Sequence, residues 1–254
     1  MQETTGRGRV VVDRVIPEID GGRFPIKRAS GESVSVEADV FADGHDVLTV
    51  RLRFRHEAAT AWTELPMEFL GNDRWRASFS ASQLGRYRYT VTGWIDHFAT
   101  WRKHLAKKLE AAQSVSMELL MGAELIRKGA GLAAGEDAAR LKQWASELST
   151  MTVADAERAR LGLSEDLRLL MERYADRASA TSYIRELEVI VDRAKARFST
   201  WYEMFPRSCS PVPGREGTFN DCEARLEYVA SMGFDVLYLP PIHPIGRSFR
   251  KGRS

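Results

Sequence analysis

Few residues in this 254-residue chain have types and spacing suited to chemistry. Arg51, Arg53 and Arg55 recur at every second position, which places three guanidinium groups on one face of an extended strand. Such a stripe suits an anion or a glycan phosphate, because guanidinium forks donate charge-assisted hydrogen bonds to phosphate oxygens. It equally suits ion pairing across strands, since Glu37 and Asp39 share the outward parity of the preceding run, and pairing is the favoured reading. Trp94 falls on the polar parity of its run. A large apolar ring there needs a partner surface, either as a sugar-stacking platform or, as favoured here, by packing against the helical residues that follow. Cys209 and Cys222 have no His or Cys partners at zinc spacing and make no disulfide framework. They read as a loop thiol and a packed helix residue.

The elements that must position these groups fall into three regions. All nine prolines are at Pro17, Pro25, Pro66 or from Pro206 onward, so residues 67–205 are free of proline. The first region, about residues 1–100, alternates with period two. Val34, Val36, Ala38 and Val40 form one such run, and Leu48, Val50, Leu52 and Phe54 the next. Residues 42–46, Ala-Asp-Gly-His-Asp, read as a hairpin connection between them. Trp75, Ala77 and Phe79, then Tyr87, Tyr89, Val91, Gly93 and Ile95, complete the pattern. Short strands with one apolar face predict an immunoglobulin-like β-sandwich.

Residues 101–197 read as a helical bundle. Leu105, Leu109, Ala112, Ser116 and Leu119 share a face of one long helix, and Gly129, Gly131 and Gly135 interrupt. Leu141, Trp144, Ala145 and Leu148 mark a second helix. Ser164 caps a third, and a last runs from about Ser182 with Ile184, Leu187, Ile190, Val191 and Ala194 inward. From residue 198 the signal is a strand at Trp201–Phe205, a capping box at Thr218–Asp221, a helix closed by Gly233, and a nearly continuous apolar strand over residues 234–242. Strand, helix and strand make a βαβ unit, and a strand apolar on both faces expects burial in a parallel sheet.

Composition bounds the rest. The formal net charge is +2, and 44% of residues are hydrophobic, which describes a globular chain with no electrostatic case for nucleic acid or acidic membrane. No apolar run approaches the ~18 residues of a membrane-spanning helix, and residues 1–8 carry no signal-like apolar stretch. The expectation is a cytoplasmic protein.

Residues 202–208 (Tyr-Glu-Met-Phe-Pro-Arg-Ser), 217–219 (Gly-Thr-Phe) and 233–246 (Gly-Phe-Asp-Val-Leu-Tyr-Leu-Pro-Pro-Ile-His-Pro-Ile-Gly) resemble the first two βα units of an α-amylase-clan (β/α)8 barrel. More narrowly, together with residues 17–25 (Pro-Glu-Ile-Asp-Gly-Gly-Arg-Phe-Pro) and 40–46, they resemble the α-1,4-glucan:maltose-1-phosphate maltosyltransferases of bacterial glycogen-like glucan synthesis. The barrel-start motif is shared across the clan; its combination with the amino-terminal segment is specific, and the likeness covers essentially the whole chain.

The resemblance implies transfer of maltosyl units from α-maltose 1-phosphate to the non-reducing end of an α-1,4-glucan with retention of configuration, without a cofactor and in a homodimer. Retention needs two carboxyl groups about 5–5.5 Å apart. In the clan these stand at the ends of barrel strands four and five, whereas residues 198–254 supply only the start of a barrel of ~250 residues. No catalytic residue is therefore expected in this sequence. Glu203 and Asp235 read as structural, since neither is placed at a strand's carboxyl end, and His243 as bordering the sugar pocket. The segment after His243 carries Arg247, Arg250, Lys251 and Arg253. By resemblance Lys251 is the substrate-binding residue that contacts the donor. Two other readings are open: a non-catalytic module for glucan binding or dimerisation, and part of another α-amylase-clan branching or debranching enzyme.

Overall fold

A computed structural model of the chain describes residues 9–243 and Ser248. The chain divides into two compact units, Met1–Val191 and Asp192–Ser254. Eight strands open the first unit: β1 (Val10–Ile16), β2 (Ile26–Ala29), β3 (Glu32–Ala42), β4 (Leu48–His56), β5 (Thr63–Pro66), β6 (Glu68–Gly71), β7 (Arg74–Ala81) and β8 (Gly85–Ile95). Five helices follow: α1 (His97–Glu110), α2 (Ser116–Leu132), α3 (Gly135–Ser149), α4 (Asp155–Gly162) and α5 (Glu165–Arg173). The chain then returns to extended structure in β9 (Thr181–Ser182) and β10 (Leu187–Asp192).

The strands form two sheets. One has the order β1-β3-β7-β6; the other runs β2-β10-β8-β4-β5, with β9 paired to β8. The alternation in the sequence places Val34, Val36, Ala38, Val40 and Leu52 with no exposed surface, in one core with Phe79, Tyr89 and Val91. Each Val, Leu or Phe among them contributes about 1.5–3 kcal/mol on burial. Gly93 belongs to this core because any side chain would be too close: an added Cβ would lie 2.8 Å from Val40 Cγ1.

Two expectations fail here. β3 and β4 lie in different sheets, so residues 43–47 cross between sheets and do not form a hairpin. Arg9 holds this crossing, with Nε 2.8 Å from Asp43 Oδ1 and Nη2 3.0 Å from Asp46 Oδ2. The helix expected from about Ser182 is also absent. Leu187, Val189 and Val191 alternate inward on β10, which pairs antiparallel with β8, while Ile184 is 90% exposed. A β-branched run with alternating burial gains a ladder and a core face as a strand; as a helix it would bury only part of that set.

The helices share a second core around Trp101, Leu105, Leu119, Ile126, Leu141, Leu148 and Leu167. The predicted long helix is two helices, broken at Ala112, whose φ is 53°. Conversely, Gly129 and Gly131 do not interrupt α2. Gly129 makes room for Met171, whose Sδ would lie 2.7 Å from an added Cβ. Ser164 occupies the N-cap position of α5, but its hydroxyl makes no capping bond. Its carbonyl and those of Gly162 and Leu163 accept hydrogen bonds from the Arg102 guanidinium instead.

The second unit contains β11 (Trp201–Glu203), α6 (Phe219–Glu223), α7 (Leu226–Ser231) and β12 (Val236–Tyr238). β11 and β12 pair in parallel, Trp201 with Val236 and Glu203 with Tyr238, so this is the expected strand–helix–strand arrangement. Thr218 and Asp221 make the predicted capping box, and Gly233, at φ 84°, follows α7. The single expected helix is split at Ala224–Arg225.

Candidate functional site

The basic stripe is paired, and by other partners than the sequence suggested. Arg51 bonds to Glu172 of α5, Arg53 Nε lies 3.4 Å from Glu64, and Arg55 Nη2 lies 3.6 Å from Glu186. Glu37 and Asp39 cannot serve, because they sit in the other sheet, where they pair with Arg74 and Arg76. The Arg53 and Arg55 guanidiniums also lie 5.1 and 4.6 Å from the Trp62 ring centroid. Trp94 is 1% exposed, so it is no open sugar platform. The Arg177 guanidinium, on the segment after α5, lies 4.5 Å from its ring centroid and donates to Glu64 Oε2 at 2.8 Å. Trp94 is thus buried under Arg177 of the segment that follows α5, which ties that segment to the sheet.

In the second unit, Glu203 closes β11 at its carboxyl end, contrary to the reading from sequence, while Asp235 immediately precedes β12. Asp235 accepts from Lys195 and from the Thr200 amide at 3.2 Å, and these bonds, that from Lys195 first, hold its carboxyl below the usual range. It clamps the entry to β11 against β12. Cys209 and Cys222 are both buried beside Met204, and burial raises the Cys222 thiol above its ordinary value. Asp221 is held low by the Thr218 amide, its hydroxyl and Arg215. Lys251 lies outside the described residues, as do Arg247, Arg250 and Arg253. His243 is described and exposed. Among the described residues no cluster of His, Cys, Asp or Glu is arranged to hold a metal ion.

One surface feature escaped the sequence reading. The outer face of the β1-β3-β7-β6 sheet ends in an open groove of about 500 Å3, lined by Arg14, Asp39, Phe41, Asn72, Asp73 and Arg74 among others. Its only sequence signal was Phe41, an aromatic residue at an outward position of β3. A smaller cavity of about 220 Å3 lies between β4 and the helices, bordered by Thr49, Asp96, Arg102, Arg168 and Glu172.

These features define a class: a mixed α and β chain in which a body of two antiparallel sheets carries a helical insertion, with a parallel strand–helix–strand unit after it. The chain belongs to the α-1,4-glucan:maltose-1-phosphate maltosyltransferase family, whose N/S domain matches residues 8–193. It is 51% identical over 249 residues to the α-1,4-glucan:maltose-1-phosphate maltosyltransferase of Chlorobaculum tepidum, covering 98% of this chain and 37% of that protein. Proteins of the same name from Methylacidiphilum infernorum and Myxococcus xanthus are each 43% identical, across 98% and 97% of this chain and 37% and 38% of theirs. The chain therefore spans well under half the length of these relatives. The resemblance seen in the sequence holds, and no described helix is long and apolar enough to cross a membrane.

Proposed function

We propose that this chain is the amino-terminal portion of a retaining glycosyltransferase that moves maltosyl units from α-maltose 1-phosphate to the non-reducing end of an α-1,4-glucan. The observation that carries this is the family match across residues 8–193, joined to a parallel strand–helix–strand unit of the kind that begins a (β/α)8 barrel. In this reading residues 1–100 are an immunoglobulin-like sandwich, residues 101–197 a helical domain and residues 198–254 the first part of the catalytic barrel. The return strand β10 is the element of the middle segment that completes the sandwich. Lys251 contacts the donor, where a lysine ammonium offsets the charge of a phosphate leaving group. The nucleophile and the acid/base belong to later barrel strands, so the 254 residues alone turn over no substrate. The parent is a cytoplasmic homodimer that needs no cofactor. The branching- or debranching-enzyme reading loses its ground once the family is established.

Phosphate release from α-maltose 1-phosphate with maltohexaose as acceptor tests this. The chain alone should release none. A chimera joining it to the remainder of the Chlorobaculum tepidum relative should release phosphate, and Lys251→Ala in that chimera should raise KM for the donor more than it lowers kcat. Turnover by the chain alone, or a folded chimera that is inert while the intact relative is active, would refute the proposal.

A further inference from the structure

We propose that the groove at the end of the outer face of the β1-β3-β7-β6 sheet binds a segment of α-1,4-glucan, with the Phe41 ring as its platform. The choice of polymer rests on the reading above; the site itself rests on four features of the fold. The groove, open to solvent, has a volume of about 500 Å3, within the range of small-ligand sites. Phe41 stands out in its strand. The outward positions before it are Ser33, Ser35, Glu37 and Asp39, yet Phe41 is 40% exposed, and Val11, its register partner on β1, is 43% exposed. A pyranose presents one face of C–H bonds, which packs on an aromatic ring as other apolar surface does.

Around that ring are the polar groups that a ring of hydroxyls needs. Asp39 and Asp73 accept, Arg14 and Arg74 donate, and the Asn72 amide does both. Two acidic and two basic side chains leave no net charge, which suits a neutral polyol and disfavours a phosphate, a nucleic acid or an acidic peptide. The Asp39–Arg74 pair and the backbone that carries Arg14, Asn72 and Asp73 are also set before any ligand arrives. Arg74 Nη1 is 3.2 Å and Arg14 Nε 3.6 Å from the Asp39 carboxylate. Arg14 has φ 47°, with its amide donating to Asp13 Oδ1 at 2.8 Å. Asn72 and Asp73 form the β6–β7 turn with φ of 48° and 59°, anchored where the Val40 amide donates to the Asp73 carbonyl at 2.9 Å. Groups ordered in advance lose less entropy on binding.

The test is retardation of the 254-residue chain in native gels containing glycogen, with maltoheptaose titrated calorimetrically. The wild type should bind. Phe41→Ala should weaken binding about 3- to 10-fold, the worth of one aromatic contact. Phe41→Trp should retain it, and Met151→Ala, at an exposed helical position far along the chain, should leave it unchanged. If Phe41→Ala fails to fold by circular dichroism, Asn72→Gly decides, because glycine accepts the positive φ while the amide is lost. No binding by the wild type, or equal binding by the folded Phe41 or Asn72 variant, would overturn the proposal. The readout needs no donor, so phosphate release by the chimera without retardation of this chain would sink the groove and leave the transferase reading standing.

Discussion

Gly122 on α2 has no side chain because the Trp101 ring of α1 fills the space where one would go. An added Cβ would lie 2.7 Å from Trp101 Cη2 and closer still to Cζ2 and Cε2, where ordinary contact begins at 3.4 Å. The ring cannot retreat freely. An added Cβ at Gly162 of α4 would also sit 2.9 Å from Cη2, and the indole Nε1 donates to the Glu118 carbonyl at 2.7 Å. Gly122→Ala must therefore shift α2 or turn the ring out of its rotamer. Overpacking of this kind costs about 1–3 kcal/mol, with about 1 kcal/mol more if the indole hydrogen bond is lost. Alanine's better helix propensity returns about 1 kcal/mol. With the hydrogen bond lost, the net expectation is a loss of about 1–3 kcal/mol, or about 2–12 °C in Tm for a chain this size. Gly131→Ala in the same helix is the control: nothing lies within 4 Å of its added Cβ, so it should be neutral or stabilising. Differential scanning calorimetry reads both, and Trp101→Leu should recover part of the loss in the double variant. A Gly122→Ala protein melting at or above the wild-type temperature would refute this account of the helical core.

Arg177 and Trp94 make one of the contacts between the sheet and the segment that follows α5, alongside Arg51 and Glu172. Arg177→Ala should uncover the indole, red-shift its fluorescence and lower Tm by an amount corresponding to about 0.5–1 kcal/mol, while Arg177→Lys should keep part of the contact. An unchanged emission maximum would exclude the stacking. Asp155, held by Ser116 and Arg158, and Glu165, held by Arg168, both titrate below their ordinary values of 3.8 and 4.5. Because the folded values are depressed, their stabilisation is full above those pH values and lost as pH falls through the folded pKa. Asp155→Asn should therefore lower Tm at neutral pH, and the gap to the wild type should close as the pH falls below 3.8, because the variant lacks the carboxylate that titrates; a gap that stays constant from pH 7 to pH 2 would contradict the sign.

Much of the architecture is local and was legible. Period-two burial in residues 34–40, the Thr218–Asp221 capping box and the turn of Gly233 are each set by neighbours within a few residues, whereas Thr90, Thr92 and Trp94, on the polar parity of β8, are buried as well. Their physical causes, alternating side-chain direction and short-range hydrogen bonding, need no knowledge of the rest of the chain. Other features had a misleading local signature. Ile184, Leu187, Ile190 and Val191 fit helical spacing as well as they fit a strand, and only an open edge at β8 made the strand the better solution. Gly129 and Gly131 look like breakers until Met171 is seen to need the space beside Gly129.

What the amino-acid order settled alone was the inward face of residues 34–40, the helix start at Thr218, and the family likeness carried by residues 17–25, 40–46 and 202–246. What only the folded chain decided was partnership. β3 and β4, adjacent in sequence, went to opposite sheets; β10, separated from β8 by five helices, came back to pair with it; Arg51 found Glu172, and Asp39 found Arg74. Closing a longer loop costs little more than closing a short one, so chain distance does not rank the candidates. Complementary surface does, and that surface exists only once both cores have formed.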